Sequence, residues 1–399
     1  MRKLTLVAAA ALLLFARNSR AQDPFAEIPM KVQPFVDKGE ISGAVMLVAT
    51  KDRILHLSAV GVSDIATGRP MQTGDLFWIA SMSKPITALG VALLVDEGKL
   101  SFDDPVEKYL PEFHRQWVIQ ENAPDRRVLV PAARPIQIRD LLTHTSGLGE
   151  YVVTNPHWTL AEMSKVIARE PLRFQPGSRW AYSTAGLDVA GRVVEAVSGR
   201  PFAEFMQERL FDPLGMEHTT FWPTPEQDQS RARSYVVNAT TNHLEETVIS
   251  YMYRGAITDR GRPPLGGAGL FSTAEDVTKI YQMMLNHGVV NGRQLIKSET
   301  LAEMTRNQIG NLTARPGMPW GFGFCVVADP TKMVANNTLS PGSFGHGGAF
   351  GTDSWADPTR GLIYVFMISR DHLRPTPDDS DMRRAYQQAA EDALSARSR

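Results

Sequence analysis

Strand-forming runs lie near the two ends of this chain and helical ones fill the stretch between, so any single sheet must be assembled from both termini. Near the start, Ala44-Val45-Met46-Leu47-Val48 and Ile54-Leu55-His56-Leu57 flank the polar Lys51-Asp52-Arg53, which predicts a hairpin. Near the end, residues 320–328, 352–356 and 362–369 are apolar, β-branched or aromatic, with turn residues between them. From Ser81 the period becomes helical: Ile86, Leu89, Leu93 and Leu94 share a face and Gly98 supplies a stop. Residues 183–199 repeat the pattern through Leu187, Ala190, Val193, Val194 and Val197. Ser272-Thr273-Ala274-Glu275 matches a capping box opening another helix, and 379–397 reads as a C-terminal helix. The expectation is an α/β (α+β) domain over 22–399. Its sheet-bearing part covers about 25–98 and 265–399, with a helical insertion over about 99–264.

Charge excludes one class of partner. The 42 basic and 43 acidic side chains leave a net charge of -1, which gives no footprint for nucleic acid or an anionic membrane. Arg2 and Lys3 precede an apolar or small run over 4–16, and Ser19-Arg20-Ala21 offers small residues for cleavage. This reads as a secretory signal peptide cut after Ala21, the alternatives being a membrane anchor or a buried first helix. The run is short for a bilayer, so the expectation is a secreted or periplasmic protein with no stable membrane anchor. Cys325 is the single cysteine, and its apolar neighbours make it a core thiol.

Several chemistries lack their motifs. There is no G-x-S-x-G, no Walker A and no G-x-G-x-x-G. The nine histidines form neither H-E-x-x-H nor H-x-H, so neither a metal nor an organic cofactor is implied. What remains is Ser81-Met82-Ser83-Lys84. Residues three apart share a helix face, so Lys84 would lie beside the Ser81 hydroxyl at the positive end of a helix. A serine needs a base to become a nucleophile, and a desolvated lysine can serve. Alone, the motif would indicate no more than a capped helix with a solvated lysine.

Two further motifs follow in order: Tyr182-Ser183-Thr184, then His346-Gly347-Gly348. The set resembles the serine β-lactamase and penicillin-binding protein superfamily, closest to its class C-like branch of β-lactamases, D-alanyl-D-alanine carboxypeptidases, D-aminopeptidases and family VIII carboxylesterases. Leu141-Leu142-Thr143-His144-Thr145-Ser146-Gly147-Leu148, Leu214-Gly215-Met216 and Gly266-Gly267-Ala268-Gly269 agree with it. The resemblance implies a β-lactamase-like fold: a central antiparallel sheet flanked by helices, an inserted helical domain and a site between them. It makes Ser81 the acylated serine, with Lys84 and Tyr182 as its proton-handling partners. It assigns the Ser81 and Ala349 backbone N–H groups to an oxyanion hole, with Gly347 and Gly348 giving substrate access to the strand.

Two positions depart from the pattern. Thr184 stands where an Asn is expected, and His346 where a Lys is expected. Thr cannot offer an amide both a donor and an acceptor as Asn does, and His near neutral pH lacks the fixed charge that grips a carboxylate. Both changes point away from β-lactams and towards neutral esters, or amides lacking that carboxylate. The expected activity is therefore hydrolysis of small-molecule carboxylic esters through a Ser81 acyl-enzyme. The rivals are a D-amino-acid peptidase or carboxypeptidase, or a weak class C-like β-lactamase, acting on peptidoglycan or its analogues, and a non-catalytic penicillin-binding sensor. His144 reads as a structural hydrogen-bonding residue, and Trp158, Trp180, Trp320 and Trp355 as core. Asn238-Ala239-Thr240 and Asn311-Leu312-Thr313 match glycosylation sequons. The sequence sets no oligomeric state.

Overall fold

The computed structural model describes residues 24–151, 154–249, 256–333, 335, 338–371 and 380–397; the expected signal peptide lies outside them. One seven-stranded antiparallel sheet dominates. Its strands are β1 (Gly43–Thr50), β2 (Ile54–Asp64), β3 (Arg69–Pro70), β4 (Cys325–Val326), β5 (Phe344–Gly347), β6 (Asp353–Asp357) and β7 (Leu362–Met367), in the order β4-β5-β6-β7-β1-β2-β3. The two ends of the chain meet where β1 pairs with β7, Val45 opposite Met367 and Leu47 opposite Val365. The expected hairpin is β1–β2, closed by Thr50 N–H to Arg53 O at 2.8 Å.

Strand β1 is apolar throughout because both of its faces are covered. Ala44, Met46 and Val48 face one core with Tyr364 and Phe366, under helices α1 (Glu27–Asp37) and α5 (Ser380–Arg397). Tyr386 of α5 stacks on Phe366 at 5.4 Å between centroids and donates its hydroxyl to Leu47 O. Val45, Leu47 and Ala49 face the other core, which takes in α2 (Ser83–Asp96), α3 (Thr184–Ser198) and α4 (Ala274–Leu285).

Helix α2 is buried on every side from Ser83 to Leu94, as suits a helix that is apolar all round after Thr87, while its buried polar residues Ser83, Lys84 and Thr87 each find a hydrogen-bond partner. Gly98, at φ +69°, lies just beyond its end as expected. Helix α3 also keeps its expected ends. Ser183 Oγ accepts from Gly186 N–H at 3.3 Å, and Gly199 takes the left-handed conformation at φ +69°.

Three local expectations need correction. The cap of α4 is Thr273, one residue later than the motif suggested, because Ser272 is paired with Phe77 in a short ladder. Only Cys325 and Val326 of 320–328 join the sheet. Gly321 N–H turns back to Phe324 O, and Gly323, at φ +78°, packs against Ala88 of α2. The middle of the chain is not wholly helical. It holds two hairpins, Trp117–Asn122 with Arg127–Pro131 and Tyr235–Val237 with Leu244–Glu246, and Arg233 N–H returns to Ser63 O of β2. Cys325 is buried, and burial pushes its thiol up to about 12, which fits a core thiol.

Candidate active site

Ser81 sits in a single 3-10 turn, Ala80–Met82, and the α-helix proper begins at Ser83. Ala80 takes φ +46°, a left-handed conformation that a residue with a β-carbon enters only when its surroundings enforce it. The turn still gives the geometry expected of the motif: Lys84 Nζ lies 3.2 Å from Ser81 Oγ. Lys84 is fully buried, and Nζ also donates to Gly267 O at 2.7 Å.

The glycine-rich segment after Leu265 is stitched to α2 and the turn before it. Thr87 Oγ1 donates to Gly266 O (2.7 Å), Trp78 Nε1 donates to Ala268 O (2.6 Å), and Leu270 N–H donates to Ser83 Oγ (3.1 Å). A β-carbon on Gly266 would lie 2.6 Å from Leu187 O, and one on Gly267 would lie 2.6 Å from Thr184 Cγ2. Glycine is therefore required for the segment to fit between α2 and α3.

Tyr182 precedes the cap of α3, and its ring faces Lys84, with Nζ 4.8 Å from the ring centroid. The observed lysine–tyrosine contact is thus to the ring face. His144 seats this tyrosine. It is buried at φ +62°, its ring lies 4.5 Å from the Tyr182 ring, and its Nδ1 lies 3.1 Å from both the N–H and the O of Ser183. Burial, helped by the Lys84 charge, holds the His144 imidazole well below its ordinary value, so it is a neutral structural residue as expected. Trp320 is core by burial, yet it also walls the site, 5.0 Å from the His144 ring and 5.6 Å from the His346 ring.

His346, on β5, is 2 % exposed, and its Nδ1 donates to Gly347 O at 2.6 Å. A carbonyl only accepts, so Nδ1 bears the proton and Nε2 is a bare acceptor. Burial first and the Lys84 charge second push this imidazole down to about 3, so it is neutral at any working pH.

The glycines of the third motif serve the protein's own packing before any substrate. A β-carbon on Gly348 would lie 2.6 Å from Ile79 O, so the glycine allows β5 to dock beside the Ser81 turn. One on Gly347 would lie 3.3 Å from Asp353 Oδ1. The turn is closed by Gly348 N–H to Thr352 O (2.7 Å) and Gly351 N–H to Gly348 O (3.0 Å), bonds in which the Ala349 amide takes no part. Thr184 lies with its methyl against Gly267, and its N–H donates to Glu150 Oε1 at 2.9 Å.

Two residues of the site were not singled out from the sequence. Asp188 of α3 is 2 % exposed; it accepts from Gly267 N–H at 2.8 Å and from the Tyr151 hydroxyl at 2.8 Å. Its signal was a single acid within the otherwise uncharged 184–191. Arg315 is exposed at the rim, with Cζ 5.9 Å from the Tyr182 ring centroid and 5.7 Å from that of Trp320. Nothing local marks it in the sequence. Among the described residues no three His, Cys, Asp or Glu side chains gather as a metal cluster.

A buried lysine bonded to a serine hydroxyl at a helix start, faced by a tyrosine and flanked by strand β5 of an antiparallel sheet, defines the protein as a serine hydrolase. The profile of the beta-lactamase family matches residues 30–390, and the chain belongs to that family. It is 33% identical to esterase EstB of Burkholderia gladioli over 358 residues, covering 82% of this chain and 86% of that one. It is 33% identical to lovastatin esterase of Penicillium rubens over 323 residues, covering 76% and 79%. The structure of EstCE1, a hydrolase with promiscuous acyltransferase activity, superposes with a TM-score of 0.75 at 24% identity, covering 92% of this chain and 98% of that one. At that identity the likeness shows the fold.

Proposed function

We propose that the protein hydrolyses carboxylic esters through an acyl-enzyme on Ser81 and that it does so outside the cytoplasm. The observation that supports the reading most is the bond from Lys84 Nζ to Ser81 Oγ, beside a third motif that is neutral. Ser81 Oγ attacks the ester carbonyl carbon, and its proton passes into the Lys84–Tyr182 pair. The carbonyl oxygen becomes an oxyanion held by the Ser81 and Ala349 N–H groups. The intermediate collapses, the C–O bond to the alcohol breaks, and the pair returns the proton to the departing oxygen. Water then attacks the acyl carbon by the same path, releasing the acid and regenerating Ser81.

Esters are favoured over β-lactams because His346 offers no charge to a carboxylate. Their similarity to this chain makes EstB and lovastatin esterase a second support for esters. A secreted or periplasmic location rests on the basic and apolar pattern of the first 21 residues.

The test is a fluorophosphonate probe combined with an ester hydrolysis assay. The wild type becomes labelled on Ser81 and turns over a short-chain ester. Ser81→Ala loses both, with turnover down by several powers of ten. Near-normal turnover by Ser81→Ala would remove the assignment. The first 21 residues fused to a reporter, followed by fractionation, test export.

A further inference from the structure

Asp188 is a buried carboxylate that no step of the proposed reaction uses. Its oxygens are both engaged, one by Gly267 N–H and one by the Tyr151 hydroxyl, each at 2.8 Å. The same peptide plane is held from its other end, where Gly266 O accepts from Thr87 Oγ1 of α2 at 2.7 Å. The next carbonyl along, Gly267 O, is the one that receives Lys84 Nζ. Asp188 and Lys84 thus meet through a single glycine. That glycine has little room, since a β-carbon on it would lie 2.6 Å from Thr184 Cγ2 and 2.8 Å from Thr184 O.

We propose that Asp188 is a positioning residue: as a carboxylate it anchors Gly267, and through Gly267 O it keeps the Lys84 amine aimed at Ser81. The inference rests on the Ser81–Lys84 reading above. A carboxylate suits the task better than a neutral amide, because its bond to an N–H donor is charge-assisted and the negative charge faces Lys84. Protonation of Asp188 weakens both effects.

Among the described residues, the charged and titratable groups acting on Asp188 are Lys84 from α2, and Glu150 and Tyr151 from the segment before residue 152. Burial raises its carboxyl to about 6, against the pull of the Gly267 and Tyr151 hydrogen bonds and the Lys84 charge, while Glu150 pushes it up. The carboxylate therefore predominates above about pH 6 and is lost below it. Reactivity of Ser81 should fall in step.

The experiment reads Ser81 directly, as the rate of fluorophosphonate labelling across the acid-to-neutral range, and uses no carboxylic ester. The wild type is expected to lose reactivity with a midpoint near pH 6. Tyr151→Phe removes a bond that favours the carboxylate, so its midpoint moves to higher pH. Asp188→Asn keeps an acceptor for Gly267 N–H and offers its amide to the Tyr151 oxygen. It is expected to label about tenfold or more slowly at neutral pH, without that midpoint. An Asp188→Asn protein that keeps the wild-type neutral rate and midpoint would overturn the proposal, as would an unmoved midpoint in Tyr151→Phe. Failure of the wild type to label at all would overturn the Ser81 reading itself. Labelling without ester turnover would overturn only the ester assignment.

Discussion

Gly348 lies so close to Ile79 that a β-carbon on the glycine would sit 2.6 Å from the Ile79 carbonyl oxygen and 2.1 Å from Thr352 Oγ1. Ile79 is two residues before Ser81, so this contact sets how near β5 comes to the serine turn. Gly348→Ala must push the strand and the turn apart. Forced overpacking of this kind costs roughly 1–3 kcal/mol. The expected result is a lower unfolding midpoint together with a loss of kcat/KM larger than that stability change alone explains. An alanine variant with wild-type activity would mean that β5 does not need this approach to serve Ser81.

Lys84 Nζ lies 4.8 Å from the Tyr182 ring centroid and 3.2 Å from Ser81 Oγ, and the proposed reaction puts Lys84 and Tyr182 on one proton path. Lys84→Ala and Tyr182→Phe should each lower kcat by about two powers of ten or more. The double variant should be little worse than either, because groups on one proton path do not contribute additively. Steady-state kinetics on the four proteins measures the coupling. Losses that multiply would separate the two residues into independent roles.

The parts of this site legible in the sequence are those set by short spacing. Ser81 and Lys84 are three residues apart, and a tight turn into a helix leaves few ways for them not to meet. The helix after Ser183 shows its register through repeated apolar residues and its stop through Gly199. What escaped depends on long-range packing. Asp188 looks like a stray acid until Gly267, 79 positions away, is folded onto it. The apolar run at 320–328 reads as a strand, but Gly321 and Gly323 turn it onto α2, and only two of its residues pair in the sheet. The shift of the α4 cap to Thr273 has the same origin, since tertiary pairing of Ser272 with Phe77 outweighs the local motif.

The Asp188 charge should be costly to the fold even where it serves the site. A carboxyl raised to about 6 is harder to ionise folded than unfolded. The folded state therefore binds the proton more tightly, and stability falls as pH rises from the ordinary carboxyl value through about 6. By pH 7 the loss is on the order of 2–3 kcal/mol. Asp188→Asn escapes this term. It should unfold at a higher temperature than the wild type at neutral pH, and the gap should shrink toward pH 5. Thermal unfolding monitored by circular dichroism decides. An Asn variant less stable at neutral pH, with a gap independent of pH, would mean that the carboxylate is not strained by its burial.

Substrate charge gives the sharpest division between the ester reading and its β-lactamase rival. His346 is neutral, with Nδ1 committed to Gly347 O, so it cannot attract a carboxylate at working pH. Arg315, at the rim beside Tyr182 and Trp320, can. It is exposed, and an exposed ion pair contributes about 1 kcal/mol or less. That is less than tenfold in binding. A desolvated lysine at the third motif would contribute roughly 1.5–3 kcal/mol through a charge-assisted bond. A neutral butyrate ester should therefore have a much higher kcat/KM than a chromogenic cephalosporin near neutral pH. Arg315→Ala should widen the gap by a small factor, and only through the cephalosporin. His346→Lys should narrow it, because the longer side chain can bring its charge toward the cleft. The three proteins are compared on both substrates. If the wild type hydrolyses the cephalosporin efficiently and leaves the ester intact, the enzyme is a β-lactamase and the neutrality of His346 does not govern its choice of substrate.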